Sequence, residues 1–265
     1  MKPALQLPLL VLVVWIFVAV AAGWLPLQPD KITLSRILEL PTADAWLGYD
    51  DLGRAIADRI ILGARTSLLV ALCVVAISFV VGTAVGIFAA WLGGWWDTIT
   101  VLVIDIFIAF PGILLAIALA GLLGPGIMNA VVALSVVGWV GFARLARAQT
   151  LTVKQRDHVL AARALGTIAP RIAHWHILPL IIAPLLVEAT FAVAGTVIAE
   201  AGLSFLGLGV QPPDASWGSM IRDGSRYMLV APHMVLAPGI SIFLVVLSIN
   251  LVGDSLRDKM DVRNR

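Results

Sequence analysis

A stretch without a single charged residue runs from Thr66 to Trp96. At a rise of about 1.5 Å per residue, a helix of this length exceeds the hydrocarbon core of a bilayer, which is roughly 30 Å thick. The stretch therefore predicts one tilted membrane span. The whole chain agrees, because 60% of its residues are hydrophobic, only 13% are charged and its mean hydropathy is +1.00. Such a composition excludes a water-soluble globular domain, and the net charge of +2 gives no indication of nucleic-acid binding.

Further apolar segments have the same character, so we expect an all-α polytopic membrane protein with six transmembrane helices. Gly82 and Gly86 form a G-x-x-x-G pair, which lets a neighbouring helix approach closely, and Pro111 interrupts the third span. The six predicted spans are Pro3–Leu27, Thr66–Trp96, Asp97–Gly124, Ile127–Phe142, Ile177–Ala199 and His233–Val252.

The distribution of Lys and Arg predicts the orientation of these spans. Six basic residues lie between Arg144 and His176 and four in the tail after Asp254, whereas only Arg222 and Arg226 lie between the last two spans. Both termini and the segment after the fourth span are therefore expected in the cytoplasm.

Three regions follow from this topology. Residues 1–65 are expected to form an N-terminal span, an extracytoplasmic segment and a short amphipathic helix within 51–65. Residues 66–255 would form a five-helix core with a cytoplasmic loop at 148–179, and residues 256–265 a cytoplasmic tail.

One charged segment rich in small residues separates two apolar blocks; it is Asp157–Pro179, here called the bracket. Strong helix formers precede Gly166, which tolerates the positive φ of a helix end. A second short helix is predicted over Ile168–His176, ending before Pro179 because proline cannot continue a helix. The pattern predicts two short helices on a membrane face, with an almost side-chain-free surface at Ala161–Ala162 for a second protein.

The bracket resembles the EAA loop of binding-protein-dependent ABC importer permeases, whose pattern is E-A-A, three residues, Gly, nine residues, a hydrophobic position, one residue and Leu-Pro. The alanine pair, the glycine and Leu178–Pro179 stand at this spacing, His176 occupies the hydrophobic position as in the peptide and nickel branch, and Leu160 replaces the glutamate. The resemblance implies that the bracket docks on ATPase subunits. The implied docking residues are Leu160, Ala161, Ala162, Arg163, Leu165, Gly166, His176, Leu178 and Pro179.

A second resemblance to the same branch lies in Glu200–Asp223, whose L-S-F-L-G-L-G-V-Q-P-P and S-W-G closely match it. Its glycines and prolines predict an irregular loop, which a membrane tolerates only where protein or water satisfies the backbone. This loop has two alternative roles: a gate at the outer mouth, or a simple cap on the bundle. The residues expected to line or gate the path are Asp105, Pro111, Glu188, Glu200, Ser204, Phe205, Leu206, Gly207, Gln211 and Pro212.

Three of these residues are ionisable groups in or beside spans, where an unpaired charge is costly. Asp105 and Glu200 match positions of the resembled family. Glu188 has no counterpart there, so it is the candidate for a substrate contact, for example to a peptide amino group. A hydrogen bond that merely packs two helices is the alternative for each of them.

The resemblance implies the type I ABC importer permease fold and a "C"-type permease subunit for di- or oligopeptides in a bacterial inner membrane. The implied partners are a second homologous permease, two ATPase subunits and an extracytoplasmic substrate-binding protein. The chain is expected to be no enzyme and to bind no cofactor, since it lacks a G-x-x-x-x-G-K-[ST] loop; ATP and Mg would belong to the ATPases.

Import of nickel or another metal chelate by the same architecture is the alternative substrate. His174 and His176 make a poor metal site, since residues two apart point to different faces of a helix. A proton-coupled secondary carrier using Asp105 and Glu188 is an alternative of another class. A serine–histidine protease built on Ser204 and His233 is disfavoured because G-x-S-x-G is not met.

Overall fold

The computed structural model describes residues 5–43 and 45–260, which contain helices and two isolated bridges but no β-strand. A short 3₁₀ turn spans Leu34–Arg36 and a π-helical turn spans Ala173–Ile177. The α-helices are α1 Gln6–Ala21, α2 Ile56–Leu92, α3 Gly94–Ala109, α4 Gly112–Leu123, α5 Ile127–Val153, α6 Asp157–Ala164, α7 Ala169–Ile172, α8 Leu178–Phe205, α9 Trp217–Ser225 and α10 His233–Met260.

One end of the helix bundle, here called the loop end, gathers the start of α2, the α4–α5 turn and the segment between α8 and α10. The Gly126 N–H donates to the Leu208 carbonyl at 3.2 Å. The Trp217 indole N–H donates to the Ile60 carbonyl at 3.1 Å. These bonds hold the loop after α8 against the beginnings of α2 and α5.

The opposite end, here called the bracket end, gathers the end of α2, the start of α3 and the end of α5. Arg147 and Asp97 form a bidentate ion pair with N–O distances of 2.6 and 2.7 Å. The Lys154 ammonium donates to the Ala90 carbonyl at 2.7 Å. Because α3 starts at the bracket end and α4 finishes at the loop end, the two helices together run the length of the bundle.

Close packing of α2 on α5 forms the centre of the fold. A methyl group on Gly82 would lie 2.7 Å from the Phe142 Cβ and even closer to the Trp139 carbonyl oxygen. A methyl group on Gly86 would lie 2.8 Å from the Arg147 backbone nitrogen. The predicted role of the glycine pair as a close helix contact is confirmed.

Four helices among the described residues are long and apolar enough to cross a membrane: α2, α5, the continuous helix 169–205 and α10. Helices α3 and α4 are bent by 88° where Pro111 interrupts them, and they add a fifth if counted as one broken span. Helix α1 has 16 residues, about 24 Å at the usual rise. The interruption at Pro111 is confirmed, while six spans stay a prediction.

Two predicted boundaries at the start of the core are wrong. The amphipathic helix within 51–65 is not separate, because α2 starts at Ile56 and continues without a break to Leu92. Residues 50–54 instead form a turn, in which the Asp50 carboxylate accepts the N–H groups of Leu52 and Arg54. The span predicted to end at Trp96 ends at Leu92, and the next residue, Gly93, has a φ of 66° that takes the chain out of this helix and into α3.

The helices around the bracket are longer than predicted. Helix α5 extends to Val153 rather than Phe142. The second bracket helix does not stop before Pro179; it passes through the π turn into α8. In that turn the Leu178 N–H bonds to the Ala173 carbonyl, five residues back. This wider turn comes just before the proline, which is then at the second position of α8, where a missing N–H is tolerated.

Candidate functional site

The bracket is fixed to the bundle by the apolar side of its two short helices. Val159 and Ala162 of α6 and Ile172 of α7 are buried in one cluster with Phe142 of α5 and Ile181 of α8. Ala162 is 8% exposed. The expectation that it shares an open docking surface with Ala161 is therefore wrong, because α6 turns that position towards α5 and α8.

The opposite side of the bracket is exposed and largely apolar. Leu165, at the end of α6, is 86% exposed, and Leu160, Ala161 and Ile168 are exposed as well. Gly166 has a φ of 78°, and its N–H donates to the Arg163 carbonyl at 3.0 Å. The predicted positive φ at this glycine is confirmed, and it directs the chain into α7.

The remaining bracket residues border this exposed surface. Arg163 and Pro179 are exposed, and Leu178 is half-buried. His176 is half-buried, with its ring centroid 6.3 Å from that of His158 on α6. In residues 5–43 and 45–260, no three His, Cys, Asp or Glu side chains are arranged to hold a metal ion.

The strongest polar network at the loop end is centred on Glu200. The carboxylate is 1% exposed and accepts hydrogen bonds from Ser204 Oγ at 2.7 Å and Ser67 Oγ at 3.3 Å. Ser204 Oγ also accepts the Val210 N–H at 3.1 Å. The network joins α2, the end of α8 and the loop before α9.

This arrangement corrects the loop predicted to begin at Glu200. Helix α8 continues to Phe205, so Glu200 and Ser204 are helical and buried and do not line an open path in this chain. Helix formation satisfies the backbone there, and the serines satisfy the carboxylate. The irregular part begins at Leu206; Gly207 has a φ of 82°.

The rest of that loop lies nearer the surface. Phe205, Leu206 and Pro212 are exposed. Gln211 is half-buried, and its amide donates to the carbonyls of Gly207 and Gly209, both at 3.0 Å. The loop is thus held by its own hydrogen bonds as well as by Ser204.

The other predicted path residues lie apart from this network. Asp105 and Pro111 are exposed on the α3–α4 arm. Glu188 is half-buried midway along α8, beside Gly141 of α5 and in a cavity that also contacts Arg257 of α10. The structure therefore separates the predicted residues into three places and does not form one site from them.

Ser204 and His233 form no catalytic pair. Ser204 Oγ is committed to Glu200 and Val210, whereas the His233 Nε2 lies 3.2 Å from the Tyr49 carbonyl. The structure thus supports the earlier rejection of a serine–histidine protease.

Two ion pairs were not predicted from the sequence: Asp97–Arg147 and Asp50–Arg54. The Asp97–Arg147 pair joins residues fifty positions apart, so local spacing carries no signal for it. At the loop end, Asp50 binds Arg54 Nε at 2.6 Å, an i, i+4 pair that spacing could have indicated. Burial and the neighbouring Asp50 raise the pKa of the Asp51 carboxyl, against the opposing effect of Arg54.

Comparison with known proteins identifies the family of this chain. Residues 82–265 match the family described as the inner membrane component of binding-protein-dependent transport systems. The chain belongs to this permease family.

Relatives of the permease cover most of its length. It is 42% identical over 227 residues to the dipeptide transport system permease protein DppC of Alkalihalophilus pseudofirmus, covering 86% of this chain and 75% of the relative. It is 42% identical over 226 residues to the glutathione transport system permease protein GsiD of Pectobacterium atrosepticum, covering 85% and 75%. For GsiD of Escherichia coli O1:K1 / APEC the identity is 39% over 254 residues, covering 95% and 84%.

Solved structures support the permease fold. Two inward-facing structures of the MetNI methionine ABC transporter match with TM-scores of 0.59 and 0.62 at 20% and 19% identity. They cover 74% and 77% of this chain and 94% and 97% of the solved chains. The predicted ABC importer permease fold is confirmed at this level.

Family membership places the permease in a bacterial inner membrane as a multi-pass protein, as predicted. Members are transport subunits rather than enzymes, which confirms that prediction too. The proton-coupled carrier is not favoured, since the family and the structural neighbours are binding-protein-dependent and ABC systems.

Proposed function

We propose that this permease imports short peptides, as the "C"-type subunit of an ATP-driven transporter. The observation that carries the proposal is its 42% identity, over about six-sevenths of its length, to permeases named for dipeptide and for glutathione transport. Both substrates are short peptides, and the shared chemistry favours peptides over the nickel or metal-chelate alternative.

The proposed assembly contains this chain, a second homologous permease, two ATPase subunits that carry ATP and Mg, and an extracytoplasmic substrate-binding protein. In it, the bracket end faces the cytoplasm. The basic residues Arg147, Lys154, Arg163 and Arg171 all lie at or beside that end, as the positive-inside rule requires. Both termini are then cytoplasmic if α1 also crosses the membrane.

The bracket is suited to transmit force from the ATPases to the spans. Its exposed face at Leu160, Ala161 and Leu165 would seat on an ATPase, while its buried face packs on α5 and α8. Because a close-packed interior has low compressibility, a push on α6 would displace those helices rather than deform the contact. Movement of α5 and α8 would open the transport path alternately to each side of the membrane.

Neighbouring alanines on α6 provide a matched test. Ala161→Trp enlarges an exposed position and should abolish ATP-driven uptake of radiolabelled alanyl-alanine while insertion and thermal stability stay normal. Ala162→Trp enlarges a buried position and should instead lower stability by about 1–3 kcal/mol. Uptake is measured in proteoliposomes containing the whole complex with its binding protein, and docking by recovery of ATPase with the tagged permease.

A second pair separates docking from a general effect of added charge. Leu165→Asp at the bracket end should release the ATPase, because altering a buried anchor at the centre of an interface costs about 2 kcal/mol or more. Leu229→Asp, at a fully exposed leucine before α10, should retain it. Equal ATPase recovery from both variants would contradict docking at the bracket, and a wild-type complex that takes up no peptide would contradict the proposed substrate.

A further inference from the structure

Three helices turn one face each towards a charged cavity near the bracket end. Pro184, Val187, Glu188 and Phe191 recur on α8 at positions i, i+3, i+4 and i+7, which is one side of a helix. They border a cavity of about 470 Å³. The lining residues that bear on its chemistry are Leu145 of α5, Val187, Glu188 and Phe191 of α8, and Arg257 and Met260 of α10.

The Glu188 carboxylate has room in this cavity because α5 has a glycine beside it. A methyl group on Gly141 would lie 3.0 Å from Glu188 Oε1. In the described part of the chain, Glu188 forms no hydrogen bond or ion pair. A carboxylate this far along a membrane helix is costly without a partner, and such residues commonly mark a transport path.

Arg257 supplies the opposite charge at the same cavity. It lies on α10 one turn from that helix's end, and its side chain is exposed. No ion pair within 4.0 Å joins it to Glu188 among the residues that the structure describes. The cavity thus holds a separated acid and base, an arrangement that suits a molecule carrying both charges.

Helices α8 and α10 touch each other on the loop-end side of the cavity. A methyl group on Gly253 would lie 3.3 Å from two ring atoms of Phe191 and 2.7 Å from Thr190 Oγ1, so α8 and α10 touch there without a gap. Since α10 begins at the loop end, Arg257 and Met260 lie on the far side of this contact. A ligand bound by Arg257 would therefore lie on the bracket side of this contact.

We propose that this cavity binds the two charged termini of a peptide, with the ammonium group at Glu188 and the carboxylate at Arg257. The inference rests on the proposed function and assigns a subsite for it within this chain. The cavity falls in the roughly 300–1,000 Å³ range of small-molecule sites. Arginine matches a carboxylate with two parallel donors, and Leu145, Phe191 and the adaptable Met260 would contact the peptide's side chains.

The test uses cysteine protection in the purified transporter complex without its binding protein, so that only the membrane subunits can bind the probe. Cys73, the single cysteine, is replaced by alanine, and Met260→Cys or Val187→Cys reports on the cavity. Alanyl-alanine at saturation should slow maleimide labelling about tenfold, whereas N-acetyl-alanyl-alanine amide, which lacks both charges, should not. Glu188→Gln and Arg257→Gln should each weaken the protection by about 10- to 100-fold in apparent Kd.

Matched controls make the result decisive. Asp254→Asn and Lys259→Gln change exposed charges of α10 that do not line the cavity, and protection should persist in both. Equal protection by the blocked peptide, or unchanged protection in both Glu188→Gln and Arg257→Gln, would overturn the subsite. Labelling that responds to phosphatidylethanolamine content but not to peptide would assign the cavity to a lipid headgroup and also overturn it. Failure of the wild-type complex to take up alanyl-alanine would be a separate failure, that of the proposed substrate.

Discussion

At the scale of single residues, Ser204 is a side chain whose hydroxyl group makes two structural hydrogen bonds at once. Its hydroxyl donates to Glu200 and accepts the Val210 N–H, so it bonds α8 to the loop that follows. A methyl group on Gly209 would collide with that hydroxyl, which explains why the loop can come so close. The serine therefore positions the loop, while the carboxylate is held by hydroxyl groups from α2 and α8.

Ser204→Ala should destabilise the permease without touching any exposed surface. The change leaves a buried carboxylate oxygen and the Val210 N–H without their partner, which costs about 1–3 kcal/mol. We expect the Tm of the purified complex, followed by tryptophan fluorescence, to fall by about 2–10 °C. Ser225→Ala is the control, since that exposed hydroxyl donates only within α9, to the Arg222 carbonyl. Equal Tm values for the two variants would contradict the positioning role.

At the scale of helices, the α2–α5 contact sets the spacing of the bundle. Gly82→Ala should be destabilising even though alanine favours helix formation by about 1 kcal/mol over glycine, because its methyl group collides with the Trp139 carbonyl. Gly195→Ala in α8 meets nothing within 4 Å and should be neutral or stabilising. Chemical or thermal denaturation should therefore show a loss of stability for Gly82→Ala and no loss for Gly195→Ala, and a stabilised Gly82→Ala would refute the close contact.

Helix packing also shows which parts of the fold local sequence could predict. The glycine pair in α2, the break at Pro111 and the positive φ of Gly166 were predictable, because each depends on a residue's own geometry. The continuity of the bracket helix through Pro179 was not, since it depends on the wider turn before it. Positions 161 and 162 are both alanine, so residue type does not distinguish them. Only the packing of α6 on α5 and α8 decides that Ala162 is buried and Ala161 is exposed.

At the scale of the whole molecule, different polar interactions hold the two ends of the bundle together. The bracket end carries the Arg147–Asp97 pair and Lys154, while the loop end carries Glu200 with its serines. Between them, large apolar side chains such as Leu72, Val80 and Phe243 are exposed on the outer faces of α2 and α10. This distribution is that of a bundle whose middle faces lipid or other membrane helices.

Membrane topology provides the test at this scale. In a Cys73→Ala background, Leu165→Cys marks the bracket end, Leu229→Cys the loop end and Leu5→Cys the beginning of α1. A membrane-impermeant maleimide added to spheroplasts should label Leu229→Cys. It should label Leu165→Cys only after the membrane is opened, because the proposed orientation puts the basic bracket end in the cytoplasm. Leu5→Cys decides whether the 16-residue α1 crosses the bilayer. If α1 crosses, four crossings separate Leu5 from Leu165, so the two cysteines lie on the same side and are labelled under the same conditions. That result gives six spans. Labelling of Leu5→Cys from outside would give five spans, with α1 lying along the outer surface. Labelling of Leu165→Cys in intact spheroplasts would reverse the proposed orientation and would contradict the docking of ATPases on the bracket.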